Sequence, residues 1–135
     1  MKKFALGIVL LSVAAAPAFA SGRHHKGGRG IEAQLKMLDP ATRLEQVCDI
    51  EAMRQIKNDP SPYRPDRAVL SAISNPQTTG HTIQGTGGAF RSKGKWYAFS
   101  FKCEATDDHM KVLAFEYKLG EPIPEAQWAK DSLWE

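Results

Sequence analysis

The clearest hydrophobic pattern in the chain is an alternation of apolar and polar residues from Lys95 to Glu104. Successive side chains of a strand point to opposite faces, so this alternation predicts a strand with one buried face and one partly solvated face. A second alternating run, from Lys111 to Leu119, predicts its antiparallel partner, with residues 105–109 as a polar turn. The predicted buried positions are Tyr97, Phe99, Phe101, Cys103, Leu113, Phe115, Tyr117 and Leu119, and Trp96, Ala98, Ser100 and Lys102 share the opposite face of the first strand.

The segment Ile31–Asn58 has helical spacing instead. Asp39 is placed as an N-cap, and Pro40 stands at the first helical position, where its missing N–H costs nothing. Three prolines between Asp59 and Pro65 then end the helix. Glu125–Leu133 is predicted to be a short terminal helix. The predicted core positions are Leu44, Val47, Cys48 and Met53 or Ile56 in the long helix, with Trp128 and Trp134 as docking side chains of the short one.

Shorter strands are predicted between these regions. Ala68–Ile73 is β-like, His81–Gln84 is a polar strand candidate, and residues 89–91 begin another, with bends at Gly85, Gly87 and Gly88. The predicted fold is α+β. An N-terminal helix packs on an antiparallel meander of about four strands, a short C-terminal helix follows, and residues 31–135 form a single domain.

The first 20 residues have the pattern of a secretory signal peptide. Lys2 and Lys3 precede an apolar run, and the small-residue triplet 18–20 follows Pro17. The apolar run has about a dozen residues, whereas a membrane-spanning helix needs about 20. We therefore expect cleavage after Ala20, no stable membrane span afterwards, and a periplasmic or secreted location. Residues 21–30 are predicted to be a flexible basic tail rich in glycine and histidine.

Charge argues against a nucleic-acid binder. Five of the 18 Lys and Arg residues precede Ile31, but none of the 15 Asp and Glu residues do, so the predicted domain is mildly acidic. A nucleic-acid binder needs a basic field to neutralise phosphates.

The two cysteines, Cys48 and Cys103, are the only ones in the chain. In an oxidising compartment, pairing is the default expectation for two cysteines. A free nucleophilic thiol and a metal site are the alternatives, although no CxxC motif is present.

Several motifs resemble one known family. They are Leu38–Gln46 leading to Cys48-Asp49 and Ala52-Met53, then Arg64–Arg67, Ala89–Tyr97, Phe101–Cys103, Asp108–Leu113 and Ile123-Pro124. The chain resembles domain-of-unknown-function family 930 of Gram-negative envelope proteins over nearly all of residues 38–134. The resemblance implies the domain boundaries and the pairing of Cys48 with Cys103. It implies no activity and no catalytic residue.

A basic bend is the candidate binding site. Arg91, Lys93 and Lys95 surround a predicted hairpin turn, and Trp96 follows. Cations of this kind bind carboxylates, phosphates or anionic glycans through charge-assisted hydrogen bonds, and an exposed indole stacks on a sugar. The alternative is a solubilising turn whose lysines discourage strand pairing.

Catalytic or metal chemistry has weaker candidates. His81, Asp108 and His109, with Asp107, could form an acid–base or metal site, but Asp residues also favour an ordinary solvated turn. His24 and His25 could offer metal ligands, or form only a solvated pair. The serines lack a GxSxG motif. Gly85-Thr86-Gly87-Gly88 is not a P-loop, because no lysine followed by serine or threonine comes after it, and it is predicted to be a turn or bulge.

These patterns predict a small exported binding or structural module of the cell envelope that recognises an acidic glycan or protein surface. No cofactor, catalytic residue or metal ligand is assigned. The alternative is a small periplasmic hydrolase or metal-dependent enzyme centred on His81, Asp108 and His109.

Overall fold

The structure is a computed structural model that describes residues 26–135. The predicted signal peptide, the first five residues of the predicted tail and the pair His24-His25 lie outside this range. The fold is α+β, as predicted. Its elements are α1 (Lys26–Met37), α2 (Pro40–Asn58), β1 (Pro65–Val69), β2 (Gln77–Thr79), β3 (Thr82–Ser92), β4 (Lys95–Ala105), β5 (Val112–Pro122) and α3 (Glu125–Trp128).

The sheet is antiparallel, with the strand order β1-β3-β4-β5, and the short β2 also pairs with β3. The predicted hairpin of β4 and β5 is confirmed. The predicted pieces 81–84 and 89–91 form one strand, because the register between β3 and β4 shifts between Gly85 and Gly88 without ending the ladder. The glycine-rich segment is therefore a bulge. Strand β1 is Pro65–Val69 rather than the predicted Ala68–Ile73. It begins earlier, since Pro65 is tolerated at the start of an edge strand, and it ends earlier, because residues 70–74 form turns and bends.

The predicted helix Ile31–Asn58 is two helices that meet at Leu38 and Asp39. The carboxylate of Asp39 accepts hydrogen bonds from the N–H groups of Ala41 and Thr42, so the predicted N-cap is confirmed. Pro40 starts α2 because it cannot donate the N–H that would continue α1. Helix α1 begins at Lys26, so the last five residues of the predicted tail are helical.

A hydrophobic core lies between α2 and one face of the sheet. The helix contributes Leu44, Val47, Cys48, Ala52 and Ile56, and the sheet contributes Ile83, Phe90, Phe99, Phe101 and Cys103. The Sγ atoms of Cys48 and Cys103 are 2.06 Å apart, so the predicted disulfide bond joins α2 to β4. Fully burying one large apolar side chain contributes about 1.5–3 kcal/mol.

The opposite face of the sheet is covered at one end only. Ala89 and Trp96 pack there against Ile123 and Leu133 of the C-terminal segment. Helix α3 has four residues rather than the predicted nine, and the chain continues in turns. Trp128 docks as predicted, with its indole N–H donating to the Ile123 carbonyl at 2.9 Å, whereas Trp134 is half exposed.

Strand β5 departs from the predicted alternation at Leu113. Val112 pairs with Ala105 and Ala114 pairs with Glu104, so Leu113 is the extra residue of a bulge. Its side chain is 64% exposed, and Val112 packs on the core instead.

Candidate functional site

A polar groove of about 650 Å³ crosses the sheet. We call it the sheet groove. It is bounded by the segment 74–77, by β3 near its bulge, and by the middle of β4 and β5. Its lining residues are Ser74, Asn75, Gln77, Gln84, Gly85, Thr86, Ser100, Phe101, Lys102, Glu116, Tyr117 and Lys118.

Strand register explains why the groove is polar. Gln84 lies opposite Lys102, which lies opposite Glu116, and Ser100 lies opposite Lys118. Directly opposed residues share one face of a sheet. Cys103 points towards α2, so Lys102 points to the opposite face. It shares that face with Trp96 but lies at the other end of β4, away from the C-terminal cluster. The groove therefore has three side-chain amides and two lysines. Glu116 lies opposite Lys102 of β4 and two residues before Lys118 on β5.

The glycines of the bulge bring a neighbouring segment close to β3. The N–H of Ile73 donates to the Gly87 carbonyl at 2.8 Å. A Cβ atom on Gly87 would overlap Ser74, and one on Gly85 would lie 3.3 Å from Pro76. The glycines are thus needed for space rather than for a positive φ, and they let the segment 74–77 form a wall of the sheet groove.

The predicted basic bend is the two-residue turn between β3 and β4. Lys93 and Gly94 have φ values of 51° and 74°, which together are typical of a type I′ turn. Lys93 and Lys95 are exposed, as a recognition surface requires.

The other two members of the predicted binding set are occupied within the protein. Arg91 forms a bidentate pair with Asp66, with nitrogen–oxygen distances of 3.0 and 2.9 Å, and its side chain is only 14% exposed. These hydrogen bonds hold the pKa of Asp66 below its usual range. Trp96 is 0% exposed, and its indole N–H donates to the Trp134 carbonyl at 2.8 Å. The expectation that Trp96 stacks on a ligand is therefore wrong, because the C-terminal segment covers its ring.

The turn itself allows a test of local strain. Replacing Lys93 with Asn should raise the free energy of unfolding by about 0.5–1 kcal/mol, because a left-handed residue costs about 1–2 kcal/mol and Asn tolerates this conformation well. Lys93→Ala removes the same charge without that tolerance, so it serves as the control. Urea denaturation measures both. Equal stabilities of the two variants would contradict this explanation.

The predicted histidine cluster is assembled in part. The Nε2 atom of His109 lies 3.0 Å from Nδ1 of His81, and the Nδ1 atom of His109 lies 2.7 Å from the Pro40 carbonyl. A carbonyl only accepts hydrogen bonds, so Nδ1 of His109 carries a proton. The Oδ1 atom of Asp107 lies 3.4 Å from Nε2 of His81, the other ring nitrogen. The carboxylate of Asp108 instead accepts from Thr106 and from the Met110 N–H, within the turn.

These contacts hold the β4–β5 turn against the start of α2. His109 is buried, and Arg43 reinforces the same junction by donating to the carbonyls of Asp108, Leu35 and Leu38. The sheet groove, a cavity beside α3 and a cavity between α2 and β1 are all lined by residues other than His81, Asp108 and His109. Within residues 26–135, no three His, Cys, Asp or Glu side chains are grouped so that they could hold one metal ion.

The comparison with protein families covers most of the chain. The model described as Domain of Unknown Function (DUF930) matches residues 35–133. The chain belongs to this family. No curated protein and no solved structure matches it. The match agrees with the resemblance seen in the sequence. In the described part of this DUF930 protein, no helix has the length and hydrophobicity that crossing a membrane requires.

The sequence analysis of this DUF930 protein missed the sheet groove. The alternating polar residues Ser100 and Lys102 were visible, but they predicted only a solvated face. Nothing in the sequence placed Asn75 and Gln77 beside them, because the segment 73–76 reaches β3 at the bulge and Gln77 pairs with Gln84 through β2.

A smaller cavity beside α3 is lined by Trp96, Ile123 and Trp128 among others.

Asp49 is a second feature that the sequence did not predict. It is 5% exposed, and its carboxyl group accepts the Leu70 N–H at 2.9 Å and the Gln46 side-chain amide at 3.2 Å. The pKa of Asp49 is raised to about 8, mainly by burial and to a smaller extent by the nearby Glu45, while the Leu70 hydrogen bond opposes the rise. Both carboxyl groups border a cavity of about 590 Å³ between α2 and β1. Asp49 ties α2 to the end of β1.

Proposed function

We propose that this protein is an exported binding module of the cell envelope whose sheet groove takes an acidic glycan. The observation that carries the proposal is the composition of the groove, in which three side-chain amides, two lysines and one carboxylate, that of Glu116, line one concave surface. Export is supported by the signal-peptide pattern of residues 1–20. The disulfide bond joining α2 to β4 suits an oxidising compartment.

The groove has the chemistry that a sugar acid needs. Side-chain amides both donate and accept hydrogen bonds, so Asn75, Gln77 and Gln84 can each bind hydroxyl groups. Lys102 and Lys118 supply charge-assisted hydrogen bonds to carboxylates. The groove volume of about 650 Å³ lies within the range of roughly 300–1,000 Å³ found for ligand pockets.

The basic turn is a weaker candidate for the same ligand. Arg91 is paired with Asp66 and Trp96 is buried, which leaves only Lys93 and Lys95 for an anionic partner. A convex turn also buries less of a ligand than a groove does. Both exposed lysines of the turn therefore serve as controls.

The test measures binding of an oligosaccharide of galacturonic acid, with a neutral galactose oligosaccharide of the same length for comparison. The double variant Gln84→Ala/Lys102→Ala should weaken binding of the acidic oligosaccharide by about tenfold or more, which corresponds to about 1.4 kcal/mol. The double variant Lys93→Ala/Lys95→Ala should bind as the unmodified chain does. Isothermal titration calorimetry gives the dissociation constants.

Both double variants should keep the thermal midpoint within a few degrees, because exposed side chains contribute little to folding. Binding should also weaken as salt rises, since lysine–carboxylate contacts are screened. The proposal fails if the acidic oligosaccharide does not bind, or if the turn variant loses binding while the groove variant retains it.

A further inference from the structure

Strand β5 forms one edge of the sheet. It has 11 residues and lies at the end of the strand order, and no other described strand pairs with its outer side. A long edge strand presents a row of N–H and C=O groups that can pair with another chain. Proteins usually protect such edges with bulges, charges or covering elements.

The bulges of β5 leave its middle regular. One register shift occurs near Leu113 and the other between Leu119 and Pro122, whereas the pairing with β4 is continuous from Ala114 to Leu119. Three apolar side chains of this stretch pack only partly on the core, namely Phe115, Tyr117 and Leu119. The alternate positions, Glu116 and Lys118, are exposed on the other face. A partner strand would cover the three apolar side chains on one face and place its own side chains opposite Glu116 and Lys118 on the other.

The charges favour a second copy of the same strand. In an antiparallel pairing centred on Tyr117, Glu116 of one copy lies opposite Lys118 of the other, and twofold symmetry repeats this contact. Pairing centred on Glu116 or on Lys118 places like charges opposite each other. Registers centred between two residues turn the apolar face of one copy towards the polar face of the other. Registers centred on Phe115 or on Leu119 also keep like faces together, but they place neither charge opposite its counterion. Only the register centred on Tyr117 matches both the faces and the charges.

Charges on β4 extend the same pattern. Lys102 lies opposite Glu116 within one copy, so pairing about Tyr117 would place Glu116 between two lysines, one from each copy. The alternating row of cation, anion and cation crosses the junction between the copies on one face. The apolar side chains of the two edges adjoin on the other face.

We propose that two copies of this chain associate through antiparallel pairing of their β5 edges, centred on Tyr117, to form one continuous sheet. The partner is a second copy of this chain, which is selected by the opposition of Glu116 and Lys118. This inference does not rest on the glycan proposal, because it needs only the unpaired edge of β5 and its charges, although Glu116 and Lys118 also line the sheet groove.

Charge exchange tests the register. Sedimentation equilibrium of the purified chain at micromolar to millimolar concentrations should show a reversible dimer. Glu116→Lys and Lys118→Glu, made singly, each place like charges opposite in both symmetry-related contacts, so each should weaken self-association by about tenfold or more. The double variant Glu116→Lys/Lys118→Glu restores opposite charges across the junction and should recover most of the self-association, although its new lysine lies opposite Lys102 of the same copy.

Mixing the two single variants gives a second readout. The lysines of one variant then lie opposite the glutamates of the other, so the mixture should form a heterodimer although neither variant dimerises well alone. Exposed charge changes leave folding nearly intact, and circular dichroism checks this. A monomeric unmodified chain at millimolar concentration would overturn the proposal. Dimers of undiminished affinity in both single variants would also overturn it.

Discussion

Replacing Cys48 and Cys103 together with alanine should lower the free energy of unfolding by about 2–5 kcal/mol. The two cysteines are 55 positions apart, and cross-linking a loop of that size restricts the unfolded chain by an amount worth about 4 kcal/mol. Both side chains are 0% exposed, so the variant also loses packing between α2 and β4. Urea denaturation of the two proteins without reductant measures the difference.

Reductant provides the matched control for this prediction. It should lower the stability of the unmodified chain towards that of the double variant and leave the double variant unchanged. The expected loss is a large part of the 5–15 kcal/mol that stabilises a typical domain. An unchanged denaturation midpoint in the double variant would show that the bond contributes no stability.

Replacing Asp49 with Asn should make the protein more stable in mildly alkaline solution, by about 2–5 kcal/mol at pH 9. Burial raises the pKa of Asp49 to about 8, whereas an unfolded aspartate titrates near 3.9. Between these two values the folded state holds a proton that the unfolded state has released. This contribution to stability is fully present below about pH 4, and it is lost as the pH rises through about 8.

Asparagine reproduces the neutral side chain. Its carbonyl oxygen can still accept the Leu70 N–H, and its amide can bond to Gln46 after that side chain rotates. The free energy of unfolding of the variant should therefore match that of the unmodified chain near pH 4. Between pH 4 and pH 9 it should fall much less than that of the unmodified chain. Asp107→Asn makes the same charge change at a side chain that is 99% exposed, so it should keep the decline. Equal pH dependence in all three proteins would contradict the prediction.

Local signals in the sequence predicted several elements well. Asp39 caps α2 because its side chain reaches N–H groups only two and three residues away, and Pro40 follows it for reasons of backbone chemistry. The alternation in β4 predicted which residues face α2, because a buried face needs apolar side chains at every second position. The placement of Cys103 on that face follows from the same pattern.

Whether the residues of the basic bend are free to bind a ligand could not be predicted in this way. The pattern of β4 correctly placed Trp96 on the face opposite Phe99, but that face was predicted to be partly solvated. The C-terminal segment covers it there, and its contact with Trp96 joins residues 38 positions apart. Arg91 likewise pairs with Asp66, 25 positions away. Such long-range contacts occupy side chains for which the sequence shows no partner nearby.

The sequence by itself determined the α+β class, the cap of α2, the paired cysteines, the β4–β5 hairpin and the family. These features depend on periodicity, backbone chemistry or motifs, all of which can be read along the chain. Tertiary structure alone decided that Trp96 is buried, that Leu113 lies on a bulge, that Asp49 is a buried carboxyl group and that the sheet groove exists. Each of these depends on segments distant in sequence that meet in space, where register and packing determine which side chains remain exposed.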